Sequence, residues 1–266
     1  MIEYLYLSRV PYNEALALQN ELVELRRTGR IGNTLLLLEH PPVLTLGRNA
    51  DRSNVLASDA LLASRGVTLH RINRGGDVTY HGPGQLIGYP IFDLRSMKAA
   101  SGNRLGPVDF VRLMEEALIR LCGSYGVRAG RIAGLTGVWC GPAAGESGPD
   151  RKIGAIGIHV SRGITSHGFA FNLTTNLADF LLINPCGITD KPVASLNLEV
   201  ADQTRLPAFE AAAHEAARQF GMVFAEPILA VESLHAFRAR AAEDTPMQPP
   251  REIEQLAGQP HPPIRA

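Results

Sequence analysis

The sequence predicts a mixed α/β fold, a partly antiparallel sheet flanked by helices, and three observations carry that prediction. Short β-rich runs alternate with helix-periodic runs along most of the chain. Two apolar runs, Lys152 to Val160 and Ile164 to Leu173, are joined by Ser161-Arg162-Gly163, a hairpin signal that makes part of the sheet antiparallel. Finally, 266 residues carrying 26 basic and 26 acidic side chains, with 45% apolar residues, fit one soluble domain with an appendage.

The elements follow in order. Ile2 to Leu7 reads as a strand, Tyr12 to Arg27 as a helix, Thr34 to Glu39 as a strand and Asp59 to Arg65 as a helix. Leu86 to Asp93 is strand-like. Pro107 suits the first turn of a helix running to about Tyr125, because proline lacks only an N–H that the first turn leaves unused. After the hairpin, a helix is expected from Pro207 to Phe220, bounded by Gly221, and another from Pro227 to Ala242. The folded unit is thus expected over residues 1–243, and the proline-crowded tail 244–266 is expected to be disordered. Ala143 to Asp150, rich in Gly, Pro and small residues, reads as an exposed loop.

No apolar run approaches the roughly 20 residues needed to cross a bilayer, and Met1-Ile-Glu-Tyr-Leu-Tyr-Leu lacks the basic start of a signal peptide. A cytoplasmic location, no membrane partner and reduced thiols are expected. The three cysteines make no disulfide framework, and their spacing with the histidines matches no zinc pattern, so no metal site is expected. Charge balance argues against a nucleic-acid partner, while Arg48, Arg52, Arg71 and Arg74 would suit an acidic protein. Cys122 ends an apolar-periodic run and Cys140 follows Trp139 in a β-like run, so both read as core residues.

Three segments carry chemistry. Asn184-Pro-Cys186-Gly-Ile-Thr189-Asp190 sets a thiol in a polar turn, where it is either a working nucleophile or an incidental loop cysteine. Arg74-Gly75-Gly76-Asp77-Val78-Thr79-Tyr80-His81-Gly-Pro-Gly-Gln85 brackets a short polar strand with glycines, either as ordinary turns or as a binding rim with exposed amides. It matches neither a Walker loop nor a dinucleotide fingerprint. In Arg151-Lys152-Ile-Gly-Ala155-Ile156-Gly157-Ile-His159, regular alternation puts Lys152, Gly154, Ile156 and Ile158 on one face, either an apolar slot leading away from an ammonium group or a strand whose lysine is simply a solvated end. Burying an eight-carbon chain there is worth about 5 kcal/mol at most.

Together with Glu39-His-Pro-Pro-Val-Leu-Thr-Leu-Gly47 and Ser166-His-Gly168-Phe169-Ala170-Phe-Asn172, these segments closely resemble the lipoyl(octanoyl) transferase family, over about Met1 to Gly221 and in the family's order. The resemblance implies a biotin/lipoate protein ligase-like fold. It implies transfer of octanoate from acyl carrier protein to a lysine of a lipoyl domain, the first step in making protein-bound lipoate, by a monomer needing no cofactor. The acceptors it implies are the lipoyl domains of 2-oxoacid dehydrogenase E2 subunits and the glycine cleavage H protein. Carried over by motif, the thioester-forming cysteine is Cys186 and its partner is Lys152. Substrate-binding positions are Arg74 to His81, Ala155 to Gly157 and Gly168 to Ala170.

The dyad is physically sensible. A thiol with a pKa of about 8.5 is only about 3% ionised at pH 7. An ammonium about 4 Å away at an effective dielectric of about 20 favours the thiolate by about 4 kcal/mol before desolvation, and lowering the pKa to about 7 needs only about 2 kcal/mol. Backbone N–H groups near Cys186 or in Gly82 to Gly84 are candidate donors to the developing oxyanion. His81 and His167 stay open between a structural role and one that positions substrate. An ATP-dependent ligase of the same architecture is the rival reading, and a non-catalytic carrier-docking protein is a second.

Overall fold

A computed structural model describes residues 1–99, 102–142, 147–184 and 191–242. Cys186, residues 143–146 of the expected loop and the tail from residue 243 lie outside the described residues. In chain order the elements are β1 (Ile2–Arg9), α1 (Tyr12–Arg27), β2 (Asn33–Glu39), β3 (Val43–Leu46), α2 (Asp59–Ser64), β4 (Thr68–Arg71), β5 (Val78–His81), β6 (Gln85–Ile91) and α3 (Pro107–Ser124). They continue with β7 (Gly130–Ile132), β8 (Leu135–Cys140), β9 (Arg151–Ser161), β10 (Ile164–Asn172), α4 (Leu196–Glu199), α5 (Phe209–Phe224), β11 (Ile228–Ala230) and α6 (Leu234–Ala242).

Eight strands form one mixed sheet in the order β11-β1-β2-β6-β10-β9-β8-β7, parallel among the first three and antiparallel beyond. Every residue of β2 and β6 is buried, because helices cover both faces of the sheet centre. The pleat sends Leu35 and Leu37 to one core, with Phe110, Met114 and Leu118 of α3 and Phe220 of α5. Leu36 and Leu38 go to the other, with Leu18 and Leu22 of α1 and Phe237 of α6. Cys122 and Cys140 lie buried in the first core, where burial pushes the Cys140 thiol up to about 12 and the Cys122 thiol well above its ordinary value. A second sheet, β4-β3-β5, packs with α2 and residues Phe180 to Ile183 into a lobe with its own apolar core.

The expected hairpin forms: Arg162 and Gly163 both take positive φ, 50° and 85°, a two-residue turn whose twist suits antiparallel strands. Two expectations are overturned. The helix expected to stop at Gly221 starts at Phe209 and runs on to Phe224, closed by a left-handed Ala225. Gly221 is there for room, since a Cβ would sit 2.5 Å from Ile228 Cγ1. The helix expected from Pro227 begins only at Leu234, because Ile228–Ala230 extend the main sheet beside β1, with Ile2 N–H donating to the Pro227 carbonyl at 2.8 Å. Backbone pairing at an open sheet edge outweighs local helical preference there. Among the described residues, no helix is long and apolar enough to cross a membrane.

Candidate active site

A cavity of about 270 Å³ lies between the α1 face of the main sheet and the β4–β5 connection of the small lobe. A dry cavity of about 150 Å³ holds benzene, six heavy atoms, so this volume suits about ten. Arg74, Gly75, Gly76, Asp77, Val78, Thr79, His81, Lys152, Ala155, Ile156, Gly157, Gly168, Phe169 and Ala170 all line it. Tyr80 does not: it is buried in the core of the small lobe, and its hydroxyl donates to Asp179 Oδ2 at 2.9 Å. Strand alternation explains the split, sending Tyr80 to the face opposite Thr79 and His81.

The slot along β9 differs from the regular-alternation reading. Val138 pairs with Gly154 but Trp139 pairs with Lys152, so β9 carries one extra residue, a bulge at Ile153. Ile153 is fully buried in the α3-side core, and a Cβ on Gly154 would point the same way, to Leu118 Cδ1 at 3.2 Å. The phase therefore flips. Lys152 shares the cavity with Ala155 and Gly157, while Ile156 and Ile158 pack toward the α3 side, Ile156 also reaching the cavity wall. The slot closes where Gly75 crosses β9: its N–H donates to the Ile158 carbonyl at 2.9 Å, and a Cβ on Gly157 would lie 2.8 Å from the Gly75 oxygen.

At the far end the histidines are committed to protein partners. His40 is fully buried, its Nδ1–H donating to the Val10 carbonyl and its Nε2 accepting from the Tyr89 hydroxyl, both at 2.7 Å. Burial, opposed by the Val10 bond and by Glu39, pushes its pKa down to about 4. His81 sits 2.8 Å from Gln85 Oε1 through Nδ1 and 3.4 Å from Thr45 Oγ1 through Nε2, and burial, reinforced by His40, pushes it to about 3. His167 Nε2–H donates to Asn73 Oδ1 at 2.7 Å; burial and then Arg74 push it to about 4. Burial likewise pushes the Tyr12 phenol up to about 12, although Arg74 opposes it. All three histidines are thus neutral near pH 7, with their bonded nitrogens turned to protein partners.

The opposite end is ionic. Lys152 Nζ lies 4.5 Å from the centre of the buried Trp139 ring, whose π face attracts a cation. Lys191 Nζ is 6.0 Å from the same ring and 3.9 Å from Asp150 Oδ2. The Lys152 N–H donates to the Pro192 carbonyl at 2.9 Å and its carbonyl accepts from the Ala194 N–H at 2.8 Å, so residues 192–194 run beside Lys152. On the other flank of residues 185–190, Asn184 N–H donates to the Asn54 carbonyl at 2.7 Å. Gly84 leaves the set of oxyanion donors, because its N–H already donates to Glu39 Oε2 at 2.6 Å.

Sequence reasoning passed over Tyr12, Gln85, Tyr89, Asn172, Phe180 and Val193, which also line the cavity. Tyr12 and Tyr89 read as the edges of ordinary elements. Gln85 and Asn172 end two quoted motifs, and their signal was a polar residue inside an otherwise apolar strand.

Residues 11–218 match the family described as lipoyl protein ligase A/B catalytic domain. A protein named octanoyltransferase from Acidobacterium capsulatum is 62% identical over 88% of this chain and 94% of its own. Another of that name from Koribacter versatilis is 49% identical over 96% of this chain and 97% of its own. Among solved structures, the bipartite lipoate protein ligase from Thermoplasma acidophilum superposes with a TM-score of 0.66 at 18% identity, covering 91% of each chain. At that identity the likeness concerns the fold.

Proposed function

The chain belongs to the lipoyl protein ligase A/B catalytic-domain family, and from that premise we propose that it is an octanoyltransferase. It moves an octanoyl group from acyl carrier protein to the ε-amine of a lysine in lipoyl domains, through a thioester on Cys186. The acceptors are lipoyl domains of 2-oxoacid dehydrogenase E2 subunits and the glycine cleavage H protein. The observation that carries this reading is Lys152 at the mouth of a slot sized for about ten heavy atoms, with described residues on both flanks of 185–190 anchored by backbone hydrogen bonds, those on one flank to Lys152 itself. An octanoyl group has nine heavy atoms.

The Cys186 thiol gives its proton to Lys152, and the thiolate attacks the carrier thioester. The carbon–sulfur bond to the carrier breaks, and the leaving thiolate takes the proton back from Lys152. The acceptor amine then attacks the octanoyl-enzyme. Its proton passes to neutral Lys152 as Cys186 leaves as thiolate, which restores the ion pair. His81, with both ring nitrogens bonded and its pKa at about 3, does not compete for this role. The donor is a thioester and needs no activation by ATP.

Incubation with octanoyl-carrier protein should add the mass of one octanoyl group, and Cys186→Ser should abolish the adduct while leaving the fold intact. Modification of the lipoyl domain only when ATP and free octanoate are supplied would overturn the reading in favour of a ligase.

A further inference from the structure

A chain of buried polar groups crosses the molecule from Arg74 to the backbone of Lys152. Arg74, which can only donate, sends Nε and Nη2 to Thr45 Oγ1 at 3.2 and 2.9 Å. With its lone pairs engaged, the Thr45 hydroxyl directs its one proton to His81 Nε2 at 3.4 Å. That fixes the His81 tautomer, so Nδ1–H donates to Gln85 Oε1 at 2.8 Å. The Gln85 amide is thereby oriented, and its Nε2 donates to Asn172 Oδ1 at 2.9 Å. Asn172 Nδ2 in turn donates to the Ala194 carbonyl at 2.8 Å, and Ala194 N–H donates to the Lys152 carbonyl at 2.8 Å. From Arg74 to the Ala194 carbonyl each link runs head to tail, the arrangement in which hydrogen bonds strengthen one another, and the adjoining peptide unit of Ala194 makes the contact to Lys152.

We propose that Asn172 is the positioning residue of this enzyme: it is the last side chain of that relay and locks residues 192–194, hence the chain next to the Cys186 segment, in register with Lys152. Gln85 and Asn172 are direct cross-strand partners on β6 and β10, so the rigid centre of the sheet sets the position of the relay's end. Pro192 accepts from the N–H of Lys152 and Ala194 donates to its carbonyl, so a shift of that segment moves the backbone that carries the lysine.

The inference rests on the catalytic reading of Lys152, and the test separates the two. Asn172→Asp keeps the shape and the bond from Gln85 but removes the donor to Ala194; Asn172→Ala removes both. Thr165→Val, which deletes a buried bond to Pro90 at the other end of β10, calibrates a plain loss of stability. Octanoyl transfer is followed with octanoyl-carrier protein and a lipoyl domain from pH 6 to 9. Asn172→Asp and Asn172→Ala should lower kcat about 100-fold with KM for the donor within twofold, as about 1 Å of misplacement does. The acid limb of the kcat profile should also move to higher pH. Thr165→Val should do neither. Asn172 variants that keep kcat and its pH profile like Thr165→Val would overturn the inference. Should Lys152→Ala itself retain activity, the catalytic reading falls, and this inference with it.

Discussion

The two ends of the cavity are built from opposite chemistry. At one, Tyr12, His40, His81, Tyr89 and Arg74 form a buried polar wall in which each histidine is held neutral and turned to protein partners. At the other, Lys152 and Lys191 gather at the face of Trp139 with Asp150 alongside. The histidines of that wall are desolvated, whereas Lys152, the proton-exchanging group of the proposed reaction, lies at the other end. Burial supplies shape at one end, and a cation–π contact holds charge at the other.

Four substitutions break or sharpen that contrast. Lys152→Ala removes the proton-exchanging group and should cut octanoyl transfer about 10³-fold, within the range for loss of a general base, while circular dichroism stays native. Ala155→Leu fills the slot opposite Ala170, its cross-strand partner. The ratio of rates for octanoyl over butanoyl thioesters should fall about 100-fold, since single methylenes already discriminate about tenfold or more. Trp139→Phe keeps a weaker π face under Lys152 and should lower kcat about fivefold, measured under donor saturation.

The wall gives the smallest effect, and it is one of stability. His40, His81 and His167 have folded pKa values of about 4, 3 and 4, below the ordinary value of 6.5. The unfolded chain binds their protons first, so stability is fully present above about pH 6.5 and is lost as pH falls toward the folded values. The urea midpoint should fall steadily from pH 6.5 to 5. His167→Gln, which keeps a donor for Asn73, should remove about a third of that slope, by counting one of three linked groups.

Much of this was legible in the sequence, for identifiable reasons. Helices α1 and α3 announce themselves by apolar spacing, α3 also by Pro107 in its first turn, and the β9–β10 hairpin by Arg162-Gly163. The bulge at Ile153 did not announce itself, because alternation counting assumes a regular strand and one inserted residue reverses every face after it. Ile228–Ala230 was hidden for another reason: a three-residue edge strand exists only because β1 offers it partners, and those partners lie far away in sequence. Within the site, the glycine-flanked segment from Arg74 pointed to the cavity rim. Asn172 stayed obscure because its importance lies in a donor chain assembled from β3, β5, β6 and β10, which no local pattern records.

The pairing of Lys152 with Cys186 is tested most directly by the rate of iodoacetamide alkylation at Cys186 between pH 5 and 10, read by peptide mass in the wild-type chain and in Lys152→Ala. Cys122 and Cys140, both buried with raised pKa values, should stay unreactive. The account predicts a wild-type midpoint well below the ordinary thiol value of about 8.5 and a return to that value or above it in Lys152→Ala. Superimposable profiles for the two proteins, each with an ordinary midpoint, would contradict it.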